Sequence, residues 1–171
     1  MRVRHIMTPS PAYCLPLDSS QKAAQLMALY DTGFLPVVET LETRRLVGVV
    51  TDRDLCLAIM ARGQSPVTTP VSVSMTRSVI SCRLDDDVKK VEILMREHLI
   101  RRIVVTEGGQ AVRGIVSIAD VLVRSDTPAQ EAWETVRTLS QPTREESRPR
   151  GARTDSEANT SVESLESRSQ R

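Results

Sequence analysis

The stretch Gly48-Val49-Val50-Thr51-Asp52-Arg53-Asp54-Leu55 is matched in type by Gly114-Ile115-Val116-Ser117-Ile118-Ala119-Asp120-Val121 at the glycine, the two aliphatics, the hydroxyl, the aspartate and the closing aliphatic. Internal repetition constrains a fold more than any local propensity, because both copies must solve the same packing problem. Upstream, the copies align at a shift of 68 positions: Val3 with Val71, Met7 with Met75, Thr8 with Thr76, Cys14 with Cys82, Asp18 with Asp86, Met27 with Met95, Val37 with Val105. The shift falls to 66 at Gly48, so the loop Thr40 to Arg45 has lost two residues in its second copy, a change that loops tolerate.

In the first copy, Val3 to Thr8 leads into Pro9 and Pro11, and Tyr13-Cys14-Leu15 can form a short strand ending at Pro16. Ser19 is placed to cap a helix over Ser20 to Tyr30, where Ala23, Leu26, Met27 and Tyr30 share one face and Gly33 stops the run. Leu35-Pro36-Val37-Val38 and Leu46 to Val50 flank a polar loop and read as paired strands. Pro36, with no N–H to donate, confines the first to an edge or a strand start. Thr51 opens a helix over Asp52 to Ala61. The second copy repeats the order. Asp87 caps a helix with Val88, Val91, Leu94, Met95 and His98 on one face; Ile103 to Val105 and Val112 to Val116 are strands; Ser117 opens a helix to about Arg124.

The expected fold is mixed α/β: two β-α-β-β-α units, each too small to bury much surface alone, packed on each other about a pseudo-twofold axis. The expected boundaries are 1–62 and 71–126 for the repeats, with 63–70 as a linker carrying Gly63, Pro66 and Pro70. Thr127-Pro128-x-Gln130 starts a further helix within 127–140, whose stripe Ala129, Ala132, Trp133, Val136, Leu139 should dock on the module or on a partner. Over 141–171 the composition turns to Ser, Arg, Glu and Thr, and a disordered polyampholyte tail is expected there.

Hydrophobic residues make up 40% of the chain but aromatics only 2%, so the core must be aliphatic. With 23 basic and 22 acidic residues the net charge is +1, which argues against recruitment by nucleic acid or acidic lipid. The longest apolar run, Leu55 to Ala61, falls far short of the ~20 residues that span a membrane, and Pro9 and Pro11 interrupt any signal-peptide core. A cytoplasmic location is expected. Cys14, Cys56 and Cys82 lack metal-type spacing and read as small hydrophobes. His5 and His98 are isolated, so no metal site is expected. No nucleophile stands with its base and no glycine loop cradles phosphate, so neither catalytic residues nor a catalytic cofactor is expected.

A hydroxyl three residues before an aspartate at a helix start makes a capping box, in which the two side chains satisfy free backbone amides. Thr51 with Asp54 and Ser117 with Asp120 both fit. Recurrence after Gly-aliphatic-aliphatic adds a second possibility, since a hydroxyl and a carboxylate beside the positive end of a helix can receive a ribose diol and leave room for a phosphate. Over residues 1 to about 126, these steps, together with Met7-Thr8, the Pro16 to Met27 helix entry and Leu35-Pro36-Val37-Val38, resemble a pair of CBS domains, named for cystathionine β-synthase.

The resemblance implies a regulatory, energy-sensing module that binds AMP, ADP, ATP or S-adenosylmethionine in clefts between the repeats. Thr51, Asp54, Ser117 and Asp120 would hold ribose. Arg101 and Arg102 stand where members of the family often face phosphate, whereas the first copy has Gly33 and Phe34 there; Arg53 is a weaker phosphate candidate. Val104 replaces the proline that the first copy carries at Pro36, which is expected to soften the second strand. The resemblance also implies a homodimer and an unidentified protein effector. The alternative is an assembly module whose clefts stay empty.

Overall fold

The structure, a computed structural model, describes residues 1–141. All of the expected tail after residue 141 lies outside the described residues. The elements are β1 (Thr8–Pro9), α1 (Ser20–Leu29), β2 (Phe34–Val38), β3 (Leu46–Thr51), α2 (Asp52–Met60), β4 (Ser81–Arg83), α3 (Val88–His98), β5 (Arg102–Glu107), β6 (Ala111–Ser117), α4 (Ile118–Arg124) and α5 (Ala129–Ser140). One-turn 3-10 helices at Val3–His5 and Val71–Val73 open the two copies.

The opening segments are exchanged between the copies. Val3 and Ile6, both fully buried, lie in the second copy's core with Cys82, Val88, Val91, Met95, Ile103 and Val105, while Val71 and Met75 lie in the first copy's core with Cys14, Ala23, Met27, Leu35 and Val37. Burying each large aliphatic contributes about 1.5–3 kcal/mol, so neither core is complete without its partner's entrance. Backbone bonds fix the exchange: Val3 N donates to Asp86 O at 3.0 Å, and Val71 N donates to Asp18 O at 2.8 Å. The sequence between repeats is exposed up to Thr68, but its end is tied down: buried Thr69 accepts through its carbonyl from both the Ser20 amide (2.8 Å) and the Ser20 hydroxyl (2.9 Å) at the start of α1.

Exchange explains the glycine that opens each repeated step. β1 pairs antiparallel with β6, Thr8 opposite Ile115 and Pro9 opposite Gly114, and the related contact in the other copy is the bridge between Val49 and Thr76. A Cβ on Gly114 would come within 2.5 Å of Met7 Sδ and 3.0 Å of Thr8 O; on Gly48 it would meet Met75 Sδ at 3.0 Å and Thr76 O at 3.1 Å. Only glycine admits the crossing strand that closely.

The second copy's sheet runs β1-β6-β5-β4, with β4 parallel to β5, and the first copy has the two-stranded β2-β3. In the first copy the position corresponding to β4 shrinks to one parallel bridge, Cys14 to Val37. Pro36 is the reason. Its carbonyl accepts from Cys14 N at 3.1 Å, but on that same side it has no N–H with which to extend the ladder. Contrary to expectation, Val104 does not soften its strand: Ser81 to Arg83 pair with Val104 to Thr106 over three residues. A third apolar cluster, Phe34, Val38, Val104 and Val112, joins the two copies.

Other details differ from expectation. Helix α1 ends at Leu29, and Asp31 rather than Gly33 takes the left-handed conformation (φ 48°) beyond it. On α3, His98 is exposed, and Glu92, 3% exposed, takes a place among the buried side chains by accepting from the Thr127 hydroxyl. Helix α5 docks on its own chain through Ala132, Thr135 and Leu139; Trp133, expected in that stripe, is 66% exposed. No helix among the described residues is long and apolar enough to cross a membrane.

Candidate functional site

Both capping boxes form. The Thr51 hydroxyl accepts from Asp54 N at 3.1 Å and donates to Asp54 Oδ2 at 2.7 Å, and the same oxygen accepts from Thr51 N at 3.0 Å. In the second copy the matching distances are 3.2, 2.6 and 2.8 Å for Ser117 and Asp120. These bonds hold one carboxylate oxygen toward the strand end. An ionised carboxylate offers about four acceptor directions, of which the box uses two. Asp120 spends one more on Arg124, 3.1 Å from Oδ1, which leaves acceptor capacity for a hydroxyl donor. Capping and ligand binding are thus compatible uses of the same pair.

Around the second pair the exchanged strand builds a cleft of about 500 Å³. Its walls come from both copies: Ser117, Asp120, Ile115 and Arg102 from the second, and Thr8 to Ala12, Tyr30 to Thr32 and Phe34 from the first. That volume suits a small organic ligand. Arg102 reaches the cleft because it pairs with Ser117 across the β5–β6 ladder. The structure separates the two arginines grouped by sequence: Arg101 turns away and donates from Nη2 to the carbonyl of Leu139 in α5, at 3.0 Å. Arg53 is exposed on the first turn of α2 and does not line this cleft.

Sequence reasoning missed the first-copy wall, Thr8 to Ala12 and Tyr30 to Thr32, because exchange of segments is non-local. The signal that could have found it is the repeated glycine, which demands a close backbone neighbour. Of the thiols, Cys14 and Cys82 are buried, and burial, reinforced by Asp18 and Asp86 respectively, pushes each up to about 12. Such thiols pack as small hydrophobes. Cys56 departs from that expectation: it is exposed on α2, its Sγ 3.5 Å from Met60 Sδ. Among the described residues no group of three His, Cys, Asp or Glu side chains is arranged to hold a metal.

The CBS domain model matches twice, over residues 3–61 and 71–125. The chain belongs to the CBS domain family. The CBS domain-containing protein YhcV of Bacillus subtilis (strain 168) is 35% identical over 71% of this chain and 83% of its own length, and the uncharacterized protein YlbB of the same organism is 35% identical over 74% and 83%. Inosine-5'-monophosphate dehydrogenase of Streptococcus pyogenes is 29% identical over 65% of this chain, but that covers only 22% of the enzyme. Among solved structures, the CBS domain pair of protein MJ0100, in complex with 5'-methylthioadenosine and S-adenosyl-L-methionine, superposes with a TM-score of 0.63 (27% identity, 71% of this chain, 92% of that one). CBSX2 in complex with AMP gives 0.61 (25% identity, 71% and 93%). The fold is that of a CBS pair, with mixed α/β repeats related by pseudo-symmetry.

Proposed function

We propose that the chain is a non-enzymatic regulatory module that binds an adenosine-containing ligand between its CBS repeats. The observation that carries this is the convergence of Ser117, Asp120 and Arg102 on one cleft walled by both copies. Asp120 accepts from the ribose diol, the apolar wall of Ile115, Pro11 and Ala12 covers the base, and Arg102 pairs with phosphate. A second site of the same kind uses Thr51 and Asp54, without an arginine at the position of Phe34. The CBS pairs that carry AMP, or 5'-methylthioadenosine with S-adenosylmethionine, support this class of ligand. Binding biases the module only to the extent that the ligand prefers one packing of the repeats over another. A cytoplasmic protein effector that reads that packing, and pairing with a second copy, belong to the same proposal.

Calorimetric titration with AMP, ATP and S-adenosylmethionine tests it. Saturable binding of at least one, weakened by Asp120→Asn, is the expected result. No binding of any of the three at cellular concentrations overturns it in favour of an assembly module with empty clefts.

A further inference from the structure

Consecutive residues at the start of β5 face two different objects. Arg102 lines the cleft, and Arg101, one position earlier, holds the last turn of α5 through the Leu139 carbonyl. The chain bends at Arg101, immediately before β5 begins at Arg102, so the two side chains leave it in different directions. The carbonyls of a final helical turn lack intrahelical partners and carry partial negative charge, so a guanidinium there is a favourable cap. The backbone of Arg101 belongs to the site as well: its carbonyl accepts from Ile118 N at 2.9 Å, the first residue of α4 after the Ser117 cap.

The first copy makes the same backbone bond, Asp52 N to Gly33 O at 3.2 Å, with no side chain at position 33 at all. The repeat therefore does not need an arginine to fold; the side chain at 101 serves α5. That helix is tied down at both ends, by Thr127 on the buried Glu92 before it and by Arg101 on Leu139 at its close, and Leu139 sits in the second core, 8% exposed.

We propose that α5 is the output element of the module, with its docking coupled to occupancy of the Ser117–Asp120 cleft through the Arg101–Arg102 step; this rests on the adenosine reading above. A phosphate on Arg102 and a ribose on Asp120 fix both sides of the step, the local openings that would release Arg101 become rarer, and α5 stays docked longer. Coupling is reciprocal, so loosening α5 weakens the ligand without touching it.

Hydrogen exchange of the α5 amides in the full chain, with and without saturating AMP, tests the coupling, and calorimetry on the same samples establishes that AMP is bound. In the native sequence AMP should slow exchange of the last α5 turns by about fivefold or more. Arg101→Gln should abolish that slowing while still binding AMP, and Arg101→Lys, which keeps a donor and a charge, should restore part of it. Unchanged α5 exchange in AMP-loaded protein, or slowing that persists in Arg101→Gln, overturns the coupling and leaves the adenosine site standing. If AMP does not bind, the same exchange is measured with whichever of ATP or S-adenosylmethionine does; no binding of any of the three overturns both.

Discussion

The two repeats reach one topology with different residues at the same places, and one of these differences lies on the cleft itself. The second copy carries Arg101, Arg102 and Val104 where the first carries Gly33, Phe34 and Pro36. Val104 extends a parallel ladder that Pro36 cuts to one bridge, Arg102 brings charge to a cleft to which Phe34 brings an apolar ring, and Arg101 caps a helix that the first copy lacks. Positions that must match for the exchange to close, such as Val3 with Val71, Met7 with Met75 and Gly48 with Gly114, do match. Fold is what the copies share, and the asymmetry is what function can use.

The largest test of that comparison is Ile6→Ala. Ile6, from the first copy, is fully buried in the second core, and its counterpart in the second copy is Ser74. Loss of about 2–5 kcal/mol in denaturant unfolding is expected, against a nearly neutral Ser74→Ala. A loss below 1 kcal/mol for Ile6→Ala would mean that the entrance segment does not complete its neighbour's core. Next come the crossing glycines. Gly114→Ala and Gly48→Ala should each cost about 1–3 kcal/mol as overpacked sites, because each new Cβ would press on a backbone carbonyl of the crossing strand, Thr8 O at 3.0 Å or Thr76 O at 3.1 Å, which cannot swing aside as a methionine side chain can. No loss at either site would break the argument from close approach.

A smaller effect concerns acid stability. Burial pushes the Asp86 carboxyl up, but the Arg83 amide and the Lys90 ammonium outweigh it and hold the group below its ordinary value. A folded pKa below the unfolded one means that this contribution is present above the usual carboxylate range near 3.9 and is lost as pH falls through the lower folded value. Asp86→Asn should therefore flatten the stability curve below about pH 4 while leaving its shape near neutrality unchanged. An unaltered acid limb would show that Asp86 adds nothing beyond its polarity.

The repeat, the order of elements and the capping boxes were legible in the sequence, because local spacing determines them: Ser19, Thr51, Asp87 and Ser117 each cap the helix expected. What escaped was set by non-local packing. Trp133 looks like part of an apolar stripe on α5, yet the helix turns Thr135 inward instead, since its last turn follows Leu139 into a core that sequence spacing does not locate. Arg101 and Arg102 look like one basic pair until the β5–β6 register, which begins at Arg102, sends that residue to the cleft and the bend before it turns Arg101 to α5. The first-copy side of the cleft escaped because strand exchange leaves only a glycine as its trace.

The most direct test of the cleft is the affinity of AMP compared with that of adenosine, measured by calorimetry on the native protein and on Arg102→Ala. A charge-assisted bond to phosphate is worth roughly 1.5–3 kcal/mol, so the substitution should weaken AMP by about tenfold or more and leave adenosine unchanged. An equal loss of both would contradict the assignment of Arg102 to the phosphate and reduce it to a support for the fold.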